Sequence, residues 1–181
     1  QAVDARKPLL WYSLYAYFYE ALLAVAQMQD FYMQHGAGFH MTDPAEIWQN
    51  YCDDFYKMDS YYMSFYQQYR NVKQSTYNEL DDLFKQAAEV VDNLYNNWYL
   101  ANLTQNWTNA AGKQLAETGY IEGIEQQTDF YEKHVAQATS RTFVIISDAM
   151  RYEVAASLSR ELEQEMQGSV SLTACQGIFP T

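Results

Sequence analysis

The stretch TFVIISDAMRYE, residues 142–153, sets Asp148 just behind a run of apolar and β-branched residues. Such a run reads as a buried strand, and an acid where it stops lies at the strand's carboxyl end. In open α/β sheets, ligands gather outside the carboxyl ends of the parallel strands. A second stretch, QGIFPT at 176–181, leaves a candidate neighbouring strand and ends on the hydroxyl of Thr181. A hard oxygen ligand beside a hydroxyl is the pairing that a metal-activated nucleophile needs. The cation lowers the hydroxyl's pKa and neutralises charge on a phosphoryl oxygen. The same position also suits a plain helix N-cap for Asp148, and Thr181 also reads as an ordinary loop residue. Capping and metal binding are not exclusive.

The other polar groups read more simply. Arg151 could hold a phosphate through paired N–H groups, but pairing with Glu153 or with a carboxylate across the sheet is the favoured reading. His35 and His40 flank a glycine turn, and His134 stands alone on a helix. All three read as surface or capping histidines rather than ligands. Cys52 and Cys175 lie in unlike segments and fit free thiols in a reducing cytoplasm. The sequons at Asn102 and Asn106 read as coincidence in a chain without an export signal.

The elements that must position Asp148 and Thr181 change character at one point. Before residue 141 the rhythm is helical. A first helix spans about Leu9 to Gln34 and stops at the glycines of 36–38. Asp43, Pro44 and Glu46 then form the best helix start in the chain. Trp48, Tyr51, Phe55, Met58, Tyr62, Phe65, Tyr69 and Val72 follow at alternating threes and fours, as an inward seam does.

A second cap, Thr76 with Glu79, starts a helix whose stripe reads Leu80, Leu83, Ala87, Val90, Leu94, Trp98 and Ala101. The two faces are expected to pack antiparallel across a short turn near Ser75. A fourth helical stretch, roughly 108–138, is broken near Gly119 and Gly123. Then come a strand at 142–147, a helix at 150–167 with apolar residues every fourth place, and an alternating strand at 169–175. The expected fold is therefore mainly α: a helical region, residues 1–141, followed by the first βαβ unit of an α/β domain, residues 142–181.

Composition narrows the function classes. The net charge is −12 with 11 scattered Lys and Arg residues, which repels phosphate backbones and argues against direct nucleic-acid binding by this segment. The aromatic seams carry no interleaved basic residues, so they read as core rather than base-stacking platforms. No apolar run approaches the roughly 20 residues of a membrane span. The chain reads as a piece of a longer cytoplasmic protein.

Residues 143–153, FVIISDAMRYE, closely resemble the opening motif of the PglZ family, a branch of the alkaline phosphatase superfamily. GIFPT at 177–181 is similar to the start of that family's Pro-Ser/Thr nucleophile loop. The resemblance is strong over about a dozen residues, supportive to Thr181, and consistent with helices ahead of the phosphatase domain. It implies a two-metal phosphatase or phosphodiesterase of bacterial phage defence (the BREX and Pgl systems), using zinc or a similar divalent ion. By that analogy Asp148 is the first metal ligand, and Thr181 is the nucleophile in view. Related loops often read Pro-Thr-x-Thr, which leaves a hydroxyl two positions further on as the alternative.

One Asp and one Thr cannot hold an ion that takes four or more ligands, so this segment alone is expected to be inactive. The competing reading is a non-catalytic helical scaffold docking other phage-defence proteins. In either case the βαβ piece is expected to lean on the helices or to exchange strands with a second copy.

Overall fold

The computed structural model describes residues 2–74, 81–165 and 168–177. In chain order its elements are α1 (Tyr12–His35), α2 (Pro44–Asn50), a π-helical segment Tyr51–Phe55, α3 (Tyr56–Gln74), α4 (Asp81–Asp92), a π-helical segment Asn93–Leu100, α5 (Ala101–Thr118), a 3-10 turn Gln127–Asp129, a π turn Tyr131–Val135 and α6 (Tyr152–Glu165). The chain divides into two compact units, Gln1–His40 with Lys57–Gln105, and Met41–Tyr56 with Asn106–Thr181. No helix among the described residues is long and apolar enough to cross a membrane.

The first unit is a three-helix arrangement built on aromatic packing. On α1, Ala21, Ala24, Met28 and Phe31 are buried at helical spacing. Phe18 meets Phe84, and thirteen residues on Phe31 meets Trp98 and Tyr99, so α1 runs alongside the α4 stretch in the same direction. Against α3 the order reverses. Tyr69 stacks on Phe84, Tyr66 and Tyr62 bond Asp92, and Asp59 accepts from Tyr95 and Tyr99. This is the antiparallel pairing expected from the two seams.

The face that α4 buries differs from the expected one. Leu83 and Val90 are about half exposed, while Phe84, Val91, Tyr95 and Tyr99, each one place along from a member of the expected stripe, fill the core. Larger rings bury more area, and the tyrosine hydroxyls reach carboxylates on α3. Leu80 and the Thr76–Glu79 cap lie outside the described residues.

In the second unit, Asp43 Oδ1 accepts from Ala45 N at 2.9 Å and Pro44 takes the first helical position, as the cap predicts. Asn106 is buried and grips Met41 from both sides, donating to its carbonyl at 2.7 Å and accepting from its N–H at 3.3 Å. A glycan on that nitrogen would break the grip, so the sequon is structural coincidence here. Trp48 packs on Trp107. α5 ends where Gly119, at φ +76°, bonds the carbonyl of Leu115, a left-handed C-cap that glycine adopts without strain.

The expected βαβ unit is not formed among the described residues. Residues 142–147 take no strand pairing, and Phe143, Ile145 and Ile146 are 75%, 92% and 89% exposed. A parallel strand needs neighbours and cover on both faces, and this one has neither. Residues 169–175 form no strand either; the segment instead pairs through a single parallel bridge between Gln176 and Gln126.

Two outcomes follow for the first unit. Asp59→Ala removes the acceptor shared by two buried hydroxyls and is expected to cost about 3 kcal/mol, against about 1 kcal/mol for Tyr99→Phe, read by urea unfolding. Burial, then the bond to Glu20, pushes the Tyr12 phenol up to about 12, and burial, assisted by Asp92, also raises Tyr62 and Tyr66. A raised folded-state value means that stabilisation is complete below the ordinary phenol value near ~10 and drains as pH climbs through the folded one. Unfolding is thus expected to set in above about pH 10, with phenolate absorbance lagging that of the urea-unfolded chain.

Candidate functional site

Asp148 sits in an exposed turn between the unpaired run 142–147 and α6. Its Oδ1 accepts from the next amide, Ala149 N, at 2.9 Å. Ala149 itself is left-handed, at φ 56°, a conformation that costs a residue with a Cβ roughly 1 kcal/mol. This turn uses up Met150 and Arg151, so α6 starts at Tyr152 rather than at Met150. The first helical bonds go from Val154 N and Ala155 N to the carbonyl of Arg151. Asp148 therefore makes no capping bond to α6 among the described residues.

α6 is seated at its first residue, Tyr152. Tyr152 donates its hydroxyl to the carbonyl of Cys52 at 3.0 Å, and its ring packs against Tyr51 and Tyr56. Burial, with Cys52 next in effect, pushes the Tyr152 phenol up, and burial likewise raises the Cys52 thiol. Arg151 Nε lies 2.6 Å from Glu153 Oε1, one of the pairings favoured from sequence. This is a charge contact without the alignment of a hydrogen bond. Glu153 is only 4% exposed and neither of its oxygens has a hydrogen-bond partner among the described residues. The outer face of α6 carries Val154 and Leu158, both partly exposed.

Thr181 lies outside the described residues. The segment leading to it is held at Gln176, which sequence reasoning passed over. Its contacts span some fifty residues, and no local pattern announces them.

His35 packs on Phe31, His40 Nε2 bonds the carbonyl of Ala37, and His134 stands 3.4 Å from Glu125. Cys52 and Cys175 are free thiols. Among the described residues no group of three or more His, Cys, Asp or Glu side chains could hold a metal ion. Asp148 by itself does not fit a divalent ion of the kind the phosphatase resemblance implies.

Residues 129–181, which bracket Asp148, Gln176 and Thr181, match the PglZ family, described as the BREX system PglZ alkaline phosphatase-like domain. Over its whole length the chain is 31% identical to the alkaline phosphatase-like protein PglZ of Bacillus cereus (strain H3081.97), covering 21% of that protein. It is also 30% identical to the alkaline phosphatase-like protein BrxZ of Escherichia coli O9:H4 (strain HS), over 92% of this chain and 20% of the relative. The chain thus spans about a fifth of the length of the curated relatives it matches. No solved structure matches it. The sequence ahead of residue 129 aligns with the relatives but lies outside the domain match, and with it the chain belongs to the PglZ family of alkaline phosphatase-like proteins.

Proposed function

We propose that these residues belong to a divalent-metal-dependent phosphatase or phosphodiesterase, zinc-dependent in type, acting in BREX phage defence. The observation that carries this reading is the PglZ-domain match over 129–181, which brackets both chemistry-bearing residues. In this reading Asp148 supplies one metal ligand and Thr181, or a hydroxyl just beyond it, is the nucleophile. The helical residues 1–141 precede a sheet domain opening at residue 142, and 142–147 becomes the first strand of a βαβ unit once neighbouring strands cover it. The bare faces of Phe143, Ile145 and Ile146 support this, because an apolar run so exposed has pairing left to do. The ligands that complete the metal site would come from polypeptide outside this stretch, and these residues alone would not hydrolyse a phosphoester.

A second reading keeps the helices as a docking scaffold for other BREX proteins. It is favoured by the alignment of the helical residues with both relatives outside the domain match. The net charge of −12 supports contacts with protein rather than nucleic acid.

The test is Asp148→Ala in the full-length protein, assayed on a bis-nitrophenyl phosphodiester with zinc or manganese. Loss of a single metal ligand is expected to lower turnover by about a thousand-fold or more, with an unchanged circular dichroism spectrum. Undiminished cleavage rules the assignment out and leaves the scaffold. Thr181→Ala separates the two nucleophile positions: loss of turnover places the attack at 181, and retained turnover moves it beyond.

A further inference from the structure

α1 is apolar on two sides. Its inner side buries Ala21, Ala24, Met28 and Phe31. Phe18, Leu22 and Val25 stand roughly a quarter-turn further round the helix, and none of these three is buried. α4 is built in the same way. Phe84 and Val91 fill the core, while Leu83 and Val90, one residue back from each, are 48% and 50% exposed. An ordinary surface helix has one apolar stripe and a polar face opposite it. Here two neighbouring helices each carry a second stripe.

The second stripes meet. Phe18, Leu22 and Val25 of α1 face Leu83 and Ala87 of α4 across an apolar groove. Ala21 and the buried rings of Phe65 and Phe84 close its floor. Phe65 belongs to α3, so the groove opens on the side of the α1–α4 pair away from α3. At its rim Leu22 is 44% exposed. The small side chains of Ala21 and Ala87 leave its middle unfilled, a hole of the kind that a side chain on a further helix enters.

We propose that this groove seats an amphipathic helix of the same polypeptide, from outside residues 1–181, and that this helix turns the three-helix first unit into a four-helix bundle. The proposal concerns the helices alone and does not rest on the hydrolase reading. Length favours this occupant. The chain spans about a fifth of its curated relatives, so a protein of that length has some four-fifths of its sequence to draw on. Tethering raises the effective concentration of such a helix to about the millimolar range.

Charge argues against a second copy of this chain. The net charge is −12, and the outer flank of α4 carries Glu89 and Asp82, the latter paired with Lys85. Two such surfaces brought together would set like charges side by side. Direction completes the case for a helix. α1 and α4 run the same way, and α3 packs antiparallel to α4. A helix lying opposite α3 and running as α3 does would have antiparallel neighbours on both sides, as in up-and-down bundles.

The experiment uses the full-length protein. The photo-crosslinking residue benzoylphenylalanine replaces Leu83 in one sample and Lys113, whose side chain is 86% exposed, in a control. Crosslinked peptides are identified by mass spectrometry from the monomer-sized product. The expected result is a crosslink from position 83, absent from the control, to a peptide of the same chain outside residues 1–181. Leu22→Asp sets a charge against the docked apolar face and is expected to lower the yield of that crosslink by about ten-fold, whereas Leu22→Met is expected to keep it.

A crosslink found only in a dimer-sized product, or to another protein, overturns the proposal by giving the groove a different occupant. A crosslink to a peptide within residues 1–181 does the same. No crosslink above the control overturns it too, since the groove would then face solvent. A yield unmoved by Leu22→Asp overturns the apolar docking. Should that variant fail to fold, the identity of the peptide crosslinked from position 83 decides.

Discussion

A carboxylate buried in a helical core must be bonded, because an unpaired charge there costs several kcal/mol or forces itself neutral. Asp59 meets that constraint with two phenols, Tyr95 Oη at 2.5 Å and Tyr99 Oη at 3.2 Å, and the first unit is arranged around it. The two tyrosines are four apart in the π-helical segment Asn93–Leu100, which presents both to α3. Asp92 repeats the device with Tyr62 and Tyr66. Tyr62 and Tyr95 then stack with centroids 3.8 Å apart, joining the two carboxylate sites. A chain with 17 tyrosines and negative mean hydropathy makes sense on these terms. Each of these four rings fills volume as a hydrocarbon does, and its hydroxyl satisfies an acid that aliphatic packing would strand.

Local chemistry was legible in the sequence where it is decided locally. The Asp43–Pro44 helix start, the glycine stop after α1 and the Arg151–Glu153 pair depend on neighbours within a turn or two. The stripe of α4 was misplaced by one residue because aliphatic periodicity is blind to a buried acid on another helix. Once Asp59 recruits Tyr95 and Tyr99, Phe84 and Val91 turn inward and Leu83 and Val90 turn outward. The π segments escaped for the same reason: an extra residue per turn is selected by tertiary contacts rather than by propensity. The Asn106 and Gln176 amides were invisible too, since each closes a contact across more than fifty residues.

At the candidate site the sequence conveyed composition more faithfully than conformation. An apolar, β-branched run has strand propensity, but propensity in a sheet is chiefly packing against cross-strand and same-face neighbours. Residues 142–147 have the first without the second, so they remain unpaired with their side chains in solvent. Val154 and Leu158 on α6 are partly exposed as well. On the hydrolase reading, one event completes both: strands from the other four-fifths of a PglZ-length protein cover the run, and α6 then lies over the sheet.

The anchoring of this region bears on why the chemistry should reside there at all. Catalytic groups need rigid support within a fraction of an ångström, even when they stand on turns. Asp148 stands four residues ahead of Tyr152, whose hydroxyl and ring tie the start of α6 to Tyr51, Cys52 and Tyr56. Thr181 stands five residues beyond Gln176, which is tied to Ile121, Ile124, Glu125 and Gln127. Asp148 thus precedes a part-buried, hydrogen-bonded tyrosine and Thr181 follows a buried, hydrogen-bonded glutamine in sequence, and the left-handed Ala149 spends conformational energy in the Asp148 turn. On the hydrolase reading, the seating of Tyr152 limits the motion of the turn that carries Asp148.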